Sequence, residues 1–197
     1  MSARVIRLHR SSGTEPITLG DEALVAACGV GDLAALGALY DRHHEAVARF
    51  VARLSSRGSG EVDDLVHDTF LAAHSAAPRF RGASTVKTWL LGIASNVVRH
   101  SLRSRGRRLA LADAITRLTQ EPVAPPDATL QANELRSAVA EAIASLPHDL
   151  RVVFVLCDLE ELSGAEVAAA VGIPEGSVYR RRHEARRALR ERLGSVR

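Results

Sequence analysis

Two clusters of side chains in the 197-residue chain have the types and spacing to do chemistry. The first is acidic: in EVDDLVHDTFLAAHSA, Glu61, Asp63, Asp64, His67 and Asp68 share one side of a helical pattern. Asp63 and His67 stand one turn apart, a spacing at which carboxylate and imidazole can hold a divalent metal, as in all-α phosphohydrolases or prenyl-transforming enzymes. Such a site needs further ligands. From Asp68 to Ala112 the chain offers only His74 and His100, with no further acid. The acidic face is therefore read as a partner-docking surface or a solvated one, and neither a metal nor another cofactor is expected.

The second cluster is basic. SGAEVAAAVGIPEGSVYRRRHEARR, from Ser163 to Arg187, carries Arg180, Arg181, Arg182, Arg186 and Arg187, guanidinium groups suited to phosphate oxygens and to base edges in a major groove. Ser163 and Glu166 have the spacing of a capping box at a helix start. Ala168 is small where two helices must nearly touch, Gly172 can take a left-handed turn, and Val178 can close a small core. Pro174 suits the opening of the second helix. The pattern is that of a helix-turn-helix that binds DNA, the plainer alternative being a helical hairpin with a solvated basic face.

The elements that must position these clusters are helices. Nearly every segment after Gly20 has helical periodicity and none alternates as a strand does, so the fold is expected to be all-α. Asp21 is expected to cap a first helix through Ala27. A longer helix from Asp32 to about Leu54 carries Leu33, Leu36, Leu39, Tyr40, Val47, Phe50, Val51 and Leu54 as its apolar stripe, and SSRGSG ends it. On the acidic helix, Val62, Leu65, Val66, Thr69, Phe70 and Ala73 form the opposite face. After Pro78 and Gly82, Thr85 or Ser84 can cap a helix with Val86, Leu90, Ile93 and Val97 as core and Asn96, Arg99, His100 and Arg103 as a polar strip. Phe80 and Trp89 lie beside that strip, where exposed rings can stack on unpaired bases or buried ones can pack the core. A helix on Leu135, Ala138, Val139, Ala142, Ile143 and Leu146, stopped by Pro147, and a buried one in DLRVVFVLCDLEE lead into the helix-turn-helix.

The charge distribution says more than its sum. Arg and Lys number 26 against 23 acids, a net charge of only +3. Met1 to Ala110 holds 15 basic and 10 acidic residues, Leu111 to Glu175 holds 3 and 11, and Gly176 to Arg197 holds 8 and 2. Ends that meet polyanions and a middle that avoids or imitates them would look like this. Cys28 and Cys157 sit among apolar neighbours and read as buried free thiols, which suits a reducing cytoplasm. No run approaches the ~18 apolar residues of a membrane span, and residues 1–20 read as a flexible tail rather than a signal peptide. The proline-rich DAITRLTQEPVAPPDAT, residues 113–129, reads as a semi-rigid linker between one domain at 21–112 and another at 130–197.

Three segments, DDLVHDTFLAAH, RFRGASTVKTWLLGIASN and SLPHDLRVVFVLCDLEELSGAEVAAAVGIPEGSVYRRRHEARRAL, occur in the order and spacing of a bacterial RNA polymerase sigma factor. The chain resembles the extracytoplasmic-function group, which keeps only sigma domains two and four. The resemblance implies a promoter-specificity subunit without catalysis of its own. It implies that Glu61, Asp63, Asp64, Leu65, His67, Asp68 and Phe70 dock on the clamp helices of the polymerase β′ subunit, with the β flap as a further contact. Phe80, Arg81, Gly82, Ala83, Ser84, Lys87, Trp89, Asn96, Arg99, His100 and Arg103 would recognise the minus-ten element and capture a flipped base, which helps strands separate. Ser177, Tyr179, Arg180, Arg181, His183, Glu184 and Arg187 would read the minus-35 element. The linker would thread the polymerase cleft, and an anti-sigma factor is a further partner that the family admits. Two residues depart from the family pattern: Arg182 stands where an apolar residue is usual and Glu184 where arginine is usual, which implies an atypical minus-35 preference. A stand-alone dimeric helix-turn-helix repressor and a metal-dependent all-α hydrolase are the competing readings.

Overall fold

The computed structural model describes residues 19–55, 59–115 and 132–194, with side chains beyond Arg107 and before Ala138 left undescribed. Most of the expected tail, the centre of SSRGSG and the linker from residue 116 onward lie outside the described residues. Within them every regular element is helical. Helix α1 spans Asp21–Gly29, α2 Leu33–Ser55, α3 Ser59–Ala76 and α4 Val86–Ile115. The second half has α5 at Ala132–Ser145, α6 at His148–Phe154, α7 at Gly164–Val171 and α8 at Glu175–Gly194.

Local chemistry explains where these helices start, with one correction. Gly20 rather than Asp21 occupies the cap of α1 and no side chain caps it. Asp21 instead turns toward α2, accepting from Arg42 Nη1 at 2.9 Å and pairing with His43 Nε2 at 2.8 Å. Asp32 starts α2, its Oδ1 accepting from the amides of Ala34 at 2.8 Å and Ala35 at 3.2 Å. Of the two residues able to start α4, Thr85 does so, its Oγ1 accepting from the Thr88 amide at 3.2 Å.

The apolar stripes meet in one core. Leu36, Leu39, Val47, Phe50, Val51 and Leu54 of α2 close against Val62, Leu65, Val66, Phe70 and Ala73 of α3 and Val86, Leu90, Leu91, Ala94 and Val98 of α4. Each large side chain there contributes roughly 1.5–3 kcal/mol by leaving water. Leu33, expected in that stripe, is exposed at the first residue of α2. Val139 of α5 is likewise more exposed than its stripe suggests.

The same core continues into the second half. Val152, Val153, Val155, Leu156, Cys157, Val167 and Val178 belong to the cluster that contains Phe50 and Leu90. Here α4 packs on α7, and α2 packs on α5 and α6. A smaller cluster of Ala142, Leu146, Ala185 and Leu189 joins α5 to α8. Both cysteines are free and buried, and burial pushes both thiols up.

Candidate nucleic-acid interface

The helix-turn-helix is built as its sequence requires. Ser163 Oγ accepts from the Glu166 amide at 3.3 Å while the Glu166 carboxylate accepts from the Ser163 amide at 2.9 Å, which completes the capping box. Gly172 takes the left-handed conformation, φ 71° and ψ 38°, and its amide reaches the Ala168 carbonyl at 2.9 Å. Val178 is fully buried beneath the turn. The residues before the motif bring a feature that periodicity does not reveal: α6 widens into a π-helical turn over Val155–Leu159. That turn aims Asp158 at α8.

Helix α8 has a buried stripe at Val178, Ala185 and Leu189, and Arg182 falls on the same side. A guanidinium there would be stranded without an acid. Asp158 supplies it, accepting from Arg182 Nε at 3.1 Å and Nη2 at 3.0 Å, and from Arg186 Nε at 2.9 Å. Burial works against the charged Asp158 carboxyl, but the hydrogen bonds and charges of both arginines outweigh it and hold it below the usual carboxylate range. The packing of the helix is therefore intact at the residue where the family pattern is broken.

The opposite side of α8 presents Arg180, His183 and Arg187 to solvent, with half-buried Glu184 beside them. Arg180 has no partner among the described residues. Arg187 lies a loose 3.8 Å from Glu191, and half-buried Arg181 lies 3.4 Å from Asp149. Tyr179 is 55% exposed, its hydroxyl donating to Glu175 at 3.0 Å. Its ring covers Gly164, where a Cβ would come within 2.9 Å of it. Ser177 is half-buried at the start of the helix.

In the first half, the residues expected at a minus-ten surface fall into three settings. Phe80 and Trp89 pack on each other, centroids 4.9 Å apart and planes at 50°, and both lean on the core. Both rings are half-buried. Arg81, Gly82 and Ala83 project from the loop and Ser84 is half-buried; Gly82 is left-handed at φ 67°, and Arg81 Nη1 donates to the Pro78 carbonyl at 3.1 Å. Asn96 and His100 line an open groove of about 540 Å3 between α3 and α4, with Asp68, Ala72, Ile93 and Val97. Arg99 donates to Asn96 Oδ1, and Arg103 is exposed one turn further on. Asp68, assigned to a protein partner, and Asn96, assigned to DNA, thus face one groove.

Glu61, Asp63, Asp64 and Asp68 are exposed on α3 and His67 is half-buried, but Leu65 and Phe70 are not part of that surface. They are 4% and 0% exposed, because their positions put them on the core side of the helix. Among the described residues no three His, Cys, Asp or Glu side chains converge as a metal site would need.

Three residues that sequence reasoning did not single out join the two halves. Glu160 accepts from Arg53 Nη1 of α2 at 2.8 Å and from Lys87 Nζ of α4 at 2.8 Å. Arg151 donates to the Leu54 carbonyl at 2.6 Å and the Leu146 carbonyl at 2.9 Å. His148 Nε2 donates to the Ser95 carbonyl at 3.3 Å. Asp158, also not singled out, works within the second half, where it anchors α8. Arg151 was the one with a signal: a lone cation inside the apolar run LRVVFVL implies a buried, partnered charge.

Comparison with known proteins agrees with this architecture. Sigma-70 region 2 matches residues 39–108, and Sigma-70, region 4 matches residues 136–189. The ECF RNA polymerase sigma-E factor of Salmonella typhimurium is 36% identical over 179 residues, covering 87% of this chain and 93% of that protein. Two solved structures are similar. One is the sigma factor RpoE in complex with the anti-sigma factor NepR from Bartonella quintana, with TM-score 0.61, 29% identity, and coverage of 78% of this chain and 93% of that one. The other is CnrH in complex with the cytosolic domain of CnrY, with TM-score 0.63, 27% identity, and coverage of 89% and 97%. The chain belongs to the sigma-70 family, in its extracytoplasmic-function group, whose members bind core RNA polymerase and direct transcription initiation at promoters. No helix among the described residues is long and apolar enough to cross a membrane.

Proposed function

We propose that this sigma factor divides promoter recognition between its halves: α8 reads the minus-35 element and the loop and helix from Phe80 to Arg103 engage and help open the minus-ten element. The observation that carries the proposal is the strip of exposed Arg180, His183 and Arg187, with half-buried Glu184 among them, on the second helix of a fully formed helix-turn-helix. Arginine there suits phosphate and guanine, and Glu184 can accept from a cytosine amino group. On this reading the exposed acids of α3 meet a basic polymerase surface, the chain performs no catalysis of its own, and it acts in the cytoplasm where polymerase and DNA are. An anti-sigma protein is a further partner, as for the two structural neighbours.

The test is reconstitution. Purified chain plus core polymerase is expected to start transcripts from a promoter selected out of a randomised library, and core polymerase alone is expected to start none. A chain that binds no core polymerase and supports no initiation removes the proposal. Glu184→Arg should then change the selected minus-35 sequence, as read base by base.

A further inference from the structure

Five arginines lie between Arg180 and Arg187 of α8, and only some of them can face DNA. The geometry points to Asp158 as the residue that decides which. Its carboxylate, 12% exposed, holds Arg182 through two hydrogen bonds and Arg186 through two more, from Nε and Nη2. Arg182 is 31% exposed and directed at the π-helical turn rather than outward. We propose that Asp158 is a positioning residue for promoter recognition: it withholds Arg182 and Arg186 from the phosphate backbone, so that the base-reading strip is not swamped by charge that carries no sequence information. This inference rests on the reading of α8 as the minus-35 helix.

The physical reason is the difference between the two kinds of contact. A guanidinium on phosphate strengthens binding to every sequence alike, whereas one on a base edge discriminates. A helix with five free arginines would hold any duplex tightly. With two of them engaged by an acid inside the protein, non-specific affinity falls while Arg180 and Arg187 keep their places.

The experiment uses holoenzyme made from the full chain and core polymerase, with one duplex selected from a library randomised over the minus-35 region and one scrambled duplex. Affinity is measured over a salt series. Asp158→Asn should tighten binding to the scrambled duplex about tenfold and steepen the dependence of log affinity on log salt by about 1 to 2, each added phosphate contact contributing about 0.9. Discrimination between the two duplexes should shrink. Asp158→Glu should stay near wild type, and adding Arg182→Leu and Arg186→Leu to Asp158→Asn should return the slope. A role in folding alone would lower melting temperature without steepening that slope. Should Asp158→Asn fail to fold, Arg182→Leu alone still decides: withheld from DNA, its loss should leave selected-duplex affinity within about twofold, and a drop beyond tenfold overturns the proposal. An unchanged salt slope in folded Asp158→Asn overturns it as well. A wild-type holoenzyme that selects no minus-35 sequence removes the underlying reading of α8 and this inference with it.

Discussion

At the level of single residues, the chain contains both a restraint that matches its neighbours and one that does not. Arg182 looked like an intrusion in the inner stripe of α8, and Asp158 turns it into an internal ion pair. Glu161 has no such resolution: it is the only non-glycine described residue with positive φ, at 57°, and its side chain is exposed. A Cβ in that conformation costs about 1–2 kcal/mol, and replacing the residue by glycine returns some of that to backbone entropy in the unfolded chain. Glu161→Gly is expected to stabilise the protein by about 0.5–1 kcal/mol, seen as a rise of a few degrees in thermal melting. A fall in melting temperature would show that the carboxylate makes up for the strain. Ser163 and Gly172 were legible from sequence because caps and left-handed turns are decided within a few residues. Asp21 was misread for the complementary reason: its partners Arg42 and His43 are 21 and 22 residues away, and a distant cation outcompeted the local amides.

Among the elements, helix periodicity survived well and helix ends less so. The stripes of α2, α3 and α4 were readable because burial of one face is a property of spacing, and spacing is in the sequence. The π-helical turn was not readable, since an extra residue in one turn leaves the apolar pattern of VLCDL unchanged. Nor was the way Arg151 serves two helices at once. Its guanidinium reaches Leu54 near the end of α2 and Leu146 just beyond α5, and a further hydrogen bond goes to the Ala144 carbonyl. Those carbonyls lack helical partners and carry the negative end of each helix dipole, so one buried cation closes both ends. Arg151→Met should therefore leave several carbonyls unsatisfied and destabilise by about 2–4 kcal/mol. Arg151→Lys should recover only part of it, because a single ammonium lacks the forked donors. Denaturant unfolding of the three proteins checks both statements, and a lysine variant equal to wild type would refute the need for the fork.

In the molecule as a whole, the two domains are legible in sequence as two, while their packing against one another is not. At Gly92 the two halves come so near that an added Cβ would overlap the Ala170 carbonyl oxygen of α7. Gly92→Val is expected to separate the halves, raising the radius of gyration measured by X-ray scattering while helix content by circular dichroism stays near wild type. An unchanged radius would mean that the helices slide to make room. Acidity should act on the same interface. His148, packed between α6 and α4 near Arg99, Asp149 and Arg151, is held below its ordinary 6.5, first by burial, which disfavours the imidazolium. The open form then binds more protons than the closed one, so closure is fully favourable above about pH 6.5 and weakens as pH falls below it. His148→Gln should flatten that pH profile in scattering.

Glu160 gives the packed arrangement a chemical consequence. It is the anion to which Lys87, the sole lysine in the chain, is attached, and Arg53 shares it. On the proposed reading a DNA phosphate asks for the same ammonium group, so duplex and closed domain are rival counterions for one cation. Added salt then weakens both rivals together, and promoter affinity measured on the full chain should vary with ionic strength less steeply than its phosphate contacts alone would dictate.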